Sequence, residues 1–261
     1  MKKINTSEPQ QQNLLQDYYN PEQAVILREP WVNLHNSQEL TNWDKEDEIR
    51  WNQTHRQREK YEFYIKAFDF IKTNNVNGDY FEFGCHRGRT FRMALTEARH
   101  QNLTDMKFLA FDSFSGLPKN QGDHEIGNQW GGGQLVTTKD EFLQLMKEHG
   151  LFYDQIKTFP GFFDKSLNES LIKKLKNSQH KAALVCVDCD LYESAIPVFK
   201  FIEAFIQEGS IVYIDDYWSG YKGNPERGVS KSFFEHQERS TWKFANYLSV
   251  GYGGKSFITY K

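Results

Sequence analysis

The chain has 261 residues, with 32 Lys and Arg against 35 Asp and Glu, a net charge of −3. That near balance argues against a polycationic nucleic-acid binder, and no run approaches the roughly 20 apolar residues of a membrane span. Forty rings (21 Phe, 13 Tyr and 6 Trp) accompany a mean hydropathy of −0.73. At about 150–250 Å² of buried area each, such rings give a polar chain the means to build a core.

The first 16 residues are polar and Gln-rich, without the apolar segment of a signal peptide. Three cysteines, Cys85, Cys186 and Cys189, cannot close a paired disulfide framework. The expectation is a reduced, cytoplasmic protein. Cys186 and Cys189 are spaced as a CxxC, but they overlap an apolar run that reads as a strand. Positions i and i+3 of a strand point to opposite faces, so the two sulfurs do not converge.

Residues 1–54 are polar and carry Trp31, Trp43 and Trp51 without a sustained period, which reads as an irregular or short-helical N-terminal cap. A main domain over 55–261 follows. Tyr61, Tyr64, Ile65, Phe68 and Ile71 recur at helical spacing, predicting an amphipathic helix over Gln57–Asn74. A regular alternation then begins. Strands are predicted at Tyr80–Phe83, Lys107–Phe111, Ile156–Phe159, Leu184–Val187 and Ile211–Ile214. Helices are predicted at Arg89–Arg99, from Thr138 to about His149 behind a capping box, at Leu167–Leu175, Ser194–Gln207 and Val229–Arg239. Alternation of this kind implies a parallel sheet covered on both faces. The aromatic and β-branched segments Phe244–Val250 and Ser256–Tyr260, split by Gly251–Gly254, read as a C-terminal hairpin.

The carboxylates fall at strand ends. Glu82 lies in the first strand, Asp112 follows the second, Asp188 the fourth, and Asp215 with Asp216 the fifth. Ligands of open α/β sheets bind outside the carboxyl ends of the strands, so these acids are expected to crowd one rim. The first strand runs into Gly84-Cys85-His86-Arg87-Gly88, a turn that lets backbone approach a ligand closely. It does not match the dinucleotide pattern GxGxxG, because Glu82 replaces the first glycine. Glu82 suits an ammonium group and Asp112 suits ribose hydroxyls. A ligand with both is S-adenosylmethionine (SAM).

The segment Tyr80-Phe-Glu-Phe-Gly-Cys-His-Arg-Gly-Arg-Thr90 resembles the first motif of class I SAM-dependent methyltransferases. Asp112-Ser-Phe-Ser-Gly-Leu-Pro118 is similar to the segment after strand two in the macrocin O-methyltransferase family. Pro160–Leu167, Val187–Ser194 and Ile214–Tyr217 resemble later motifs of that family, so the likeness spans about residues 78–220. Cys189 and Ser115 depart from the residues common at their positions. The resemblance implies a Rossmann-like methyltransferase fold: a mostly parallel seven-stranded sheet ending in an antiparallel hairpin. With it, SAM is expected to be held by Glu82, Gly84, Cys85, Arg87, Thr90, Asp112, Ser113, Gly161 and Phe162, one of Arg87 and Arg89 bonding the cofactor carboxylate or holding Glu82. It also implies Mg²⁺ held by Asp188, Asp215 and Asp216, with Asp190 as a substitute ligand or helix cap. Asp188 is the expected catalytic base.

On this reading a methyl group passes from SAM to a hydroxyl of a sugar or polyol on a natural product. The partners expected are a small-molecule acceptor and a second copy of the chain in a homodimer, with neither nucleic acid nor membrane. His86, His124 and His236 are further base candidates by chemistry alone. Trp130, Tyr217, Trp218 and Tyr221 are expected to wall the acceptor pocket. Alternatives are a metal-independent SAM methyltransferase, a nucleotide-dependent oxidoreductase, which Glu82 argues against, and a binding module that kept only the fold.

Overall fold

The computed structural model describes residues 57–119 and 132–261. The N-terminal cap, Trp31, Trp43, Trp51, His124 and Trp130 lie outside the described residues.

The elements in chain order are α1 (Gln57–Thr73), β1 (Asp79–Phe83), α2 (Arg89–His100), β2 (Phe108–Asp112), α3 (Lys139–His149), β3 (Ile156–Pro160), α4 (Phe163–Ser166), α5 (Glu169–Asn177), β4 (Ala182–Val187), α6 (Tyr192–Ile202), β5 (Ile206–Ile214), α7 (Gly228–Gln237), β6 (Lys243–Val250) and β7 (Gly254–Tyr260). The strands form a seven-stranded sheet in the order β3-β2-β1-β4-β5-β7-β6. The first five run parallel. Strand β7 pairs antiparallel with β5, and β6 antiparallel with β7. The expected sheet with its terminal hairpin is therefore present.

Period-2 alternation sends successive side chains to opposite faces of each strand. Tyr80, Phe108, Leu184, Cys186, Ile211 and Tyr213 pack beneath α1, α2 and α3. Phe81, Phe83, Leu109, Phe111, Val185, Val187, Val212 and Ile214 pack beneath α6 and α7. Helix α1 buries Tyr61, Tyr64, Ala67, Phe68 and Ile71, the stripe its spacing predicts. Within one layer, rings tie neighbouring strands together. Phe111 stacks between Phe83 at 4.6 Å and Phe159 at 4.7 Å. Such pairs add about 0.5–1.5 kcal/mol each beyond their buried area. Cys186 and Cys189 fall in opposite layers, both buried and free.

Some boundaries differ from expectation. The helix expected over Ser194–Gln207 spans Tyr192–Ile202, and β5 begins at Ile206 rather than Ile211. The sheet claims the difference: Ile206 pairs with Ala182, whose N–H donates to Phe205 O at 3.0 Å. The helix expected over Leu167–Leu175 spans Glu169–Asn177, and a separate short turn precedes it. One turn covers Phe163–Ser166, and Asn168 then caps α5 by accepting from Leu171 N–H at 3.0 Å. The capping box at Thr138 and Glu141 forms with both hydrogen bonds in place.

The strand order reverses direction between β1 and β4, each leaving the sheet toward a helix on the opposite face. A crevice opens at the carboxyl ends of strands at such a switch point. No helix among the described residues is long and apolar enough to cross a membrane.

Candidate active site

A cleft of about 240 Å³ lies over that switch point. Gly84 through Arg87, Thr90, Asp112, Ser113, Phe162, Asp188, Asp190, Asp215 and Asp216 all line it. Two of the residues expected to hold a cofactor, Glu82 and Gly161, do not.

The β1 side is built from backbone. Gly84 has φ +86°, and a Cβ there would overlap the main-chain carbonyl of Asp188. Only glycine lets β1 and β4 converge so closely. Asp112 pins the turn that follows. Its Oδ2 accepts from Cys85 N–H at 2.6 Å and His86 N–H at 3.1 Å, and its Oδ1 accepts from Phe114 N–H at 2.7 Å. Burial pushes the Asp112 carboxyl up, and these amide bonds pull against that rise. Its carboxylate thus organises the loop beside any contact it makes to a ligand. At the end of the neighbouring strand β3, Gly161 (φ +131°) donates its N–H to Asp112 O at 2.9 Å, and Phe162 after it is 39% exposed.

Glu82 takes a different place from the expected ammonium contact. It is fully buried, accepts a hydrogen bond from Tyr80 Oη, and accepts another from Thr90 Oγ1 at 2.8 Å. Burial pushes its carboxyl up to about 8 despite those two bonds. Tyr80 in turn meets Tyr64, hydroxyl to hydroxyl, at 2.8 Å. Glu82 therefore anchors the first turn of α2 from beneath the cleft.

The β4–β5 side is built from charge. One carboxylate oxygen from each of Asp188, Asp215 and Asp216 lies within 4.8 Å of the others. Strands β4 and β5 are paired through Val187 and Ile214, which places the acids that follow them side by side. Asp188 donates its N–H to Phe83 O, and Asp215 donates its own to Val187 O. Burial, and then the neighbouring charge of Asp215, pushes Asp188 well above the usual carboxylate range. Burial, followed by the charge of Asp190, does the same to Asp216. Asp190 lines the cleft in a left-handed turn (φ +59°), donating its N–H to Asp216 Oδ2 at 3.1 Å. Burial pushes its carboxyl up to about 8. It does not cap α6, whose N-cap is Leu191 without a side-chain bond.

Two side chains that sequence reasoning passed over enter here. Lys60, near the start of α1, places Nζ 2.7 Å from Asp215 Oδ2. Tyr213 donates its hydroxyl to the other oxygen of Asp215. Burial works to lower the Lys60 pKa, but Asp215, Asp188 and Asp216 outweigh it and hold the amine firmly protonated. No local pattern could have found the contact between Lys60 and Asp215, since 155 residues separate them.

The histidines divide. His86 lines the cleft, its Nδ1 3.0 Å from Leu135 O, and burial with Arg89 and Arg87 nearby lowers its pKa to about 3. His236 packs against Phe199 at 5.8 Å and is not part of the cleft lining. The expected acceptor wall also shifts. Tyr217 is buried against Phe233 and Phe257, and neither Trp218 nor Tyr221 lines the cleft. Its aromatic lining is instead Phe162, Phe163 and Tyr252, the last 74% exposed at the tip of the β6–β7 hairpin. A hairpin turn carries no sequence signal for facing a site on another part of the sheet.

Comparison with known proteins places this architecture. The profile of the macrocin-O-methyltransferase (TylF) family matches residues 5–230. Demethyldecarbamoylnovobiocin O-methyltransferase of Streptomyces niveus is 27% identical over 149 residues, 55% of this chain and 54% of that protein. The 8-demethyl-8-(2,3-dimethoxy-alpha-L-rhamnosyl)-tetracenomycin-C 4'-O-methyltransferase of Streptomyces olivaceus is 26% identical over 152 residues, 56% of each chain. The chain thus spans about half the length of the curated relatives it matches. The crystal structure of CalS11, a calicheamicin methyltransferase, superposes with a TM-score of 0.62 at 16% identity, covering 92% of this chain and 93% of that one. That likeness establishes the methyltransferase fold. With most of its length matched by the family profile, the chain belongs to the macrocin-O-methyltransferase family.

Proposed function

We propose that this chain transfers the methyl group of SAM to a hydroxyl of a sugar or polyol on a small natural product, with Mg²⁺ held by Asp188, Asp215 and Asp216. One observation carries the reading: three carboxylates from two adjacent strand ends converge within 4.8 Å beside a glycine turn, in one cleft. An all-oxygen donor set of this kind fits a hard divalent cation that keeps open positions. The relatives' names, both O-methyltransferases and one of them of a rhamnosyl-tetracenomycin, support the acceptor class.

The chain's own residues divide the work. Gly84 lets a cofactor approach the main chain, while Asp112 holds the turn and offers its remaining lone pairs to ribose hydroxyls. Arg87 and Thr90 border the place of the amino-acid end, and Phe162 offers its exposed face to a purine ring. Bound magnesium would supply Lewis acidity that makes an acceptor hydroxyl easier to deprotonate. Asp188 accepts the hydroxyl proton as the oxygen attacks the methyl carbon and the carbon–sulfur bond of the sulfonium breaks. The products are the methyl ether and S-adenosylhomocysteine. Holding sulfonium and oxygen in line contributes on the order of 7–11 kcal/mol through proximity.

The test is calorimetric titration of SAM with and without Mg²⁺, followed by mass spectrometry of candidate glycosides. The reading expects saturable SAM binding and a product 14 mass units heavier, one methyl in place of hydrogen (about 14 by the chemistry of the transfer), lost on chelation. Absence of SAM binding would end it. A metal-independent transfer is the second reading, favoured by the Lys60 ammonium already seated against Asp215. Under it a chelator leaves turnover intact.

A further inference from the structure

Lys60 is the one cation that the described residues set directly against the three-carboxylate group, and the argument about it rests on the reading of that group as a magnesium site. Its side chain is 21% exposed and that of Asp215 is 14% exposed, so the pair is shielded from bulk water. Shielding strengthens the interaction of the amine with every carboxylate around it. Asp215 accepts one hydrogen bond on each oxygen, from Lys60 on one and Tyr213 on the other. Among the described residues, no ion pair joins Asp188 or Asp216 to a cation in this way. The one ammonium offsets only part of the charge these acids can carry, and Asp190 adjoins them in the same cleft.

Helix α1 reaches this position because its apolar stripe lies on the sheet, leaving Lys60 beside the carboxyl end of β5. A lysine is a compact, flexible point charge that can shift along its stem, unlike the planar fork of an arginine. It can therefore yield room at Asp215 without unfolding the helix.

We infer that Lys60 is a resident counter-ion of the metal centre: it offsets one carboxylate charge, weakens the grip on a divalent cation, and disfavours ions of higher charge. The metal then remains exchangeable, and the acids stay assembled when none is bound.

The experiment uses the full-length protein stripped with chelator, and three forms: wild type, Lys60→Met and Lys60→Arg. Mg²⁺ is titrated calorimetrically, Tb³⁺ by luminescence, and thermal unfolding is followed with and without Mg²⁺. Lys60→Met is expected to bind Mg²⁺ about tenfold tighter than wild type, a gain that Coulomb attraction to one unbalanced charge readily supplies. Its Tb³⁺-over-Mg²⁺ preference is expected to rise further, and its metal-free form to melt earlier. Lys60→Arg is expected to stay within about threefold of wild type, since the charge is kept. If Lys60→Met does not fold, Lys60→Gln carries the same expectations. Equal or weaker Mg²⁺ binding by a folded neutral variant overturns the inference alone. Failure of all forms to bind Mg²⁺ overturns the metal reading and this inference with it.

Discussion

The two halves of the cleft are held by different forces. On the β1–β2 side the two acids are satisfied within the protein: Asp112 accepts three main-chain N–H bonds, and Glu82 is closed off by Tyr80 and Thr90. On the β4–β5 side three carboxylates stand within 4.8 Å with, among the described residues, a single lysine against them. The first half is a rigid frame that costs stability to alter. The second is an electrostatic imbalance that costs stability to keep, the usual bargain of a site that binds a cation.

Substitutions can break or sharpen this contrast. The largest effect is expected from Gly84→Ala, which forces a methyl into the Asp188 carbonyl at a left-handed φ. About 3 kcal/mol or more should be lost, seen in urea unfolding together with loss of SAM binding. Next comes the pH dependence due to Glu82. Its folded pKa of about 8 lies above its ordinary 4.5. The folded state therefore holds a proton that the unfolded chain releases between those values, and its contribution is full below about 4.5 and falls away as pH rises toward 8. The slope is on the order of 1 kcal/mol per pH unit, and Glu82→Gln should flatten it in unfolding curves taken across the window.

Asp112→Ala removes the acceptor of three amides and should cost about 1–3 kcal/mol, with weaker SAM affinity by calorimetry. The smallest change in stability belongs to the other half. Asp188→Asn relieves a buried repulsion, so unfolding should show no loss, or a gain of up to about 1 kcal/mol, while Mg²⁺ binding disappears. A large destabilisation by Asp188→Asn would erase the contrast between the halves.

The contrast was only partly legible in the chain. Strand positions, the capping box at Thr138 and the acids at strand ends follow from period, turn chemistry and the geometry of parallel sheets. The misplaced end of α6 reflects the pairing of Ile206 with Ala182, a long-range contact that outweighs helical spacing at Phe205. Glu82 looked like a ligand contact because it sits in the first motif. Strand alternation turns it instead into the layer of Tyr80 and Tyr64. Lys60 and Tyr252 carried no local signal, since each meets the cleft only after distant strands assemble around it. The aromatic content also divides: most rings near β5 and α7, Tyr217 among them, pack the core, leaving Phe162, Phe163 and Tyr252 at the cleft.

The most direct test of the three-carboxylate centre is calorimetric titration of Mg²⁺ into chelator-stripped protein carrying S-adenosylhomocysteine, beside the same titration of Asp215→Asn. The account predicts a single saturable site in the wild type, with affinity reduced by on the order of 100-fold or more in the variant. Equal binding by both proteins, or none by the wild type, would contradict it.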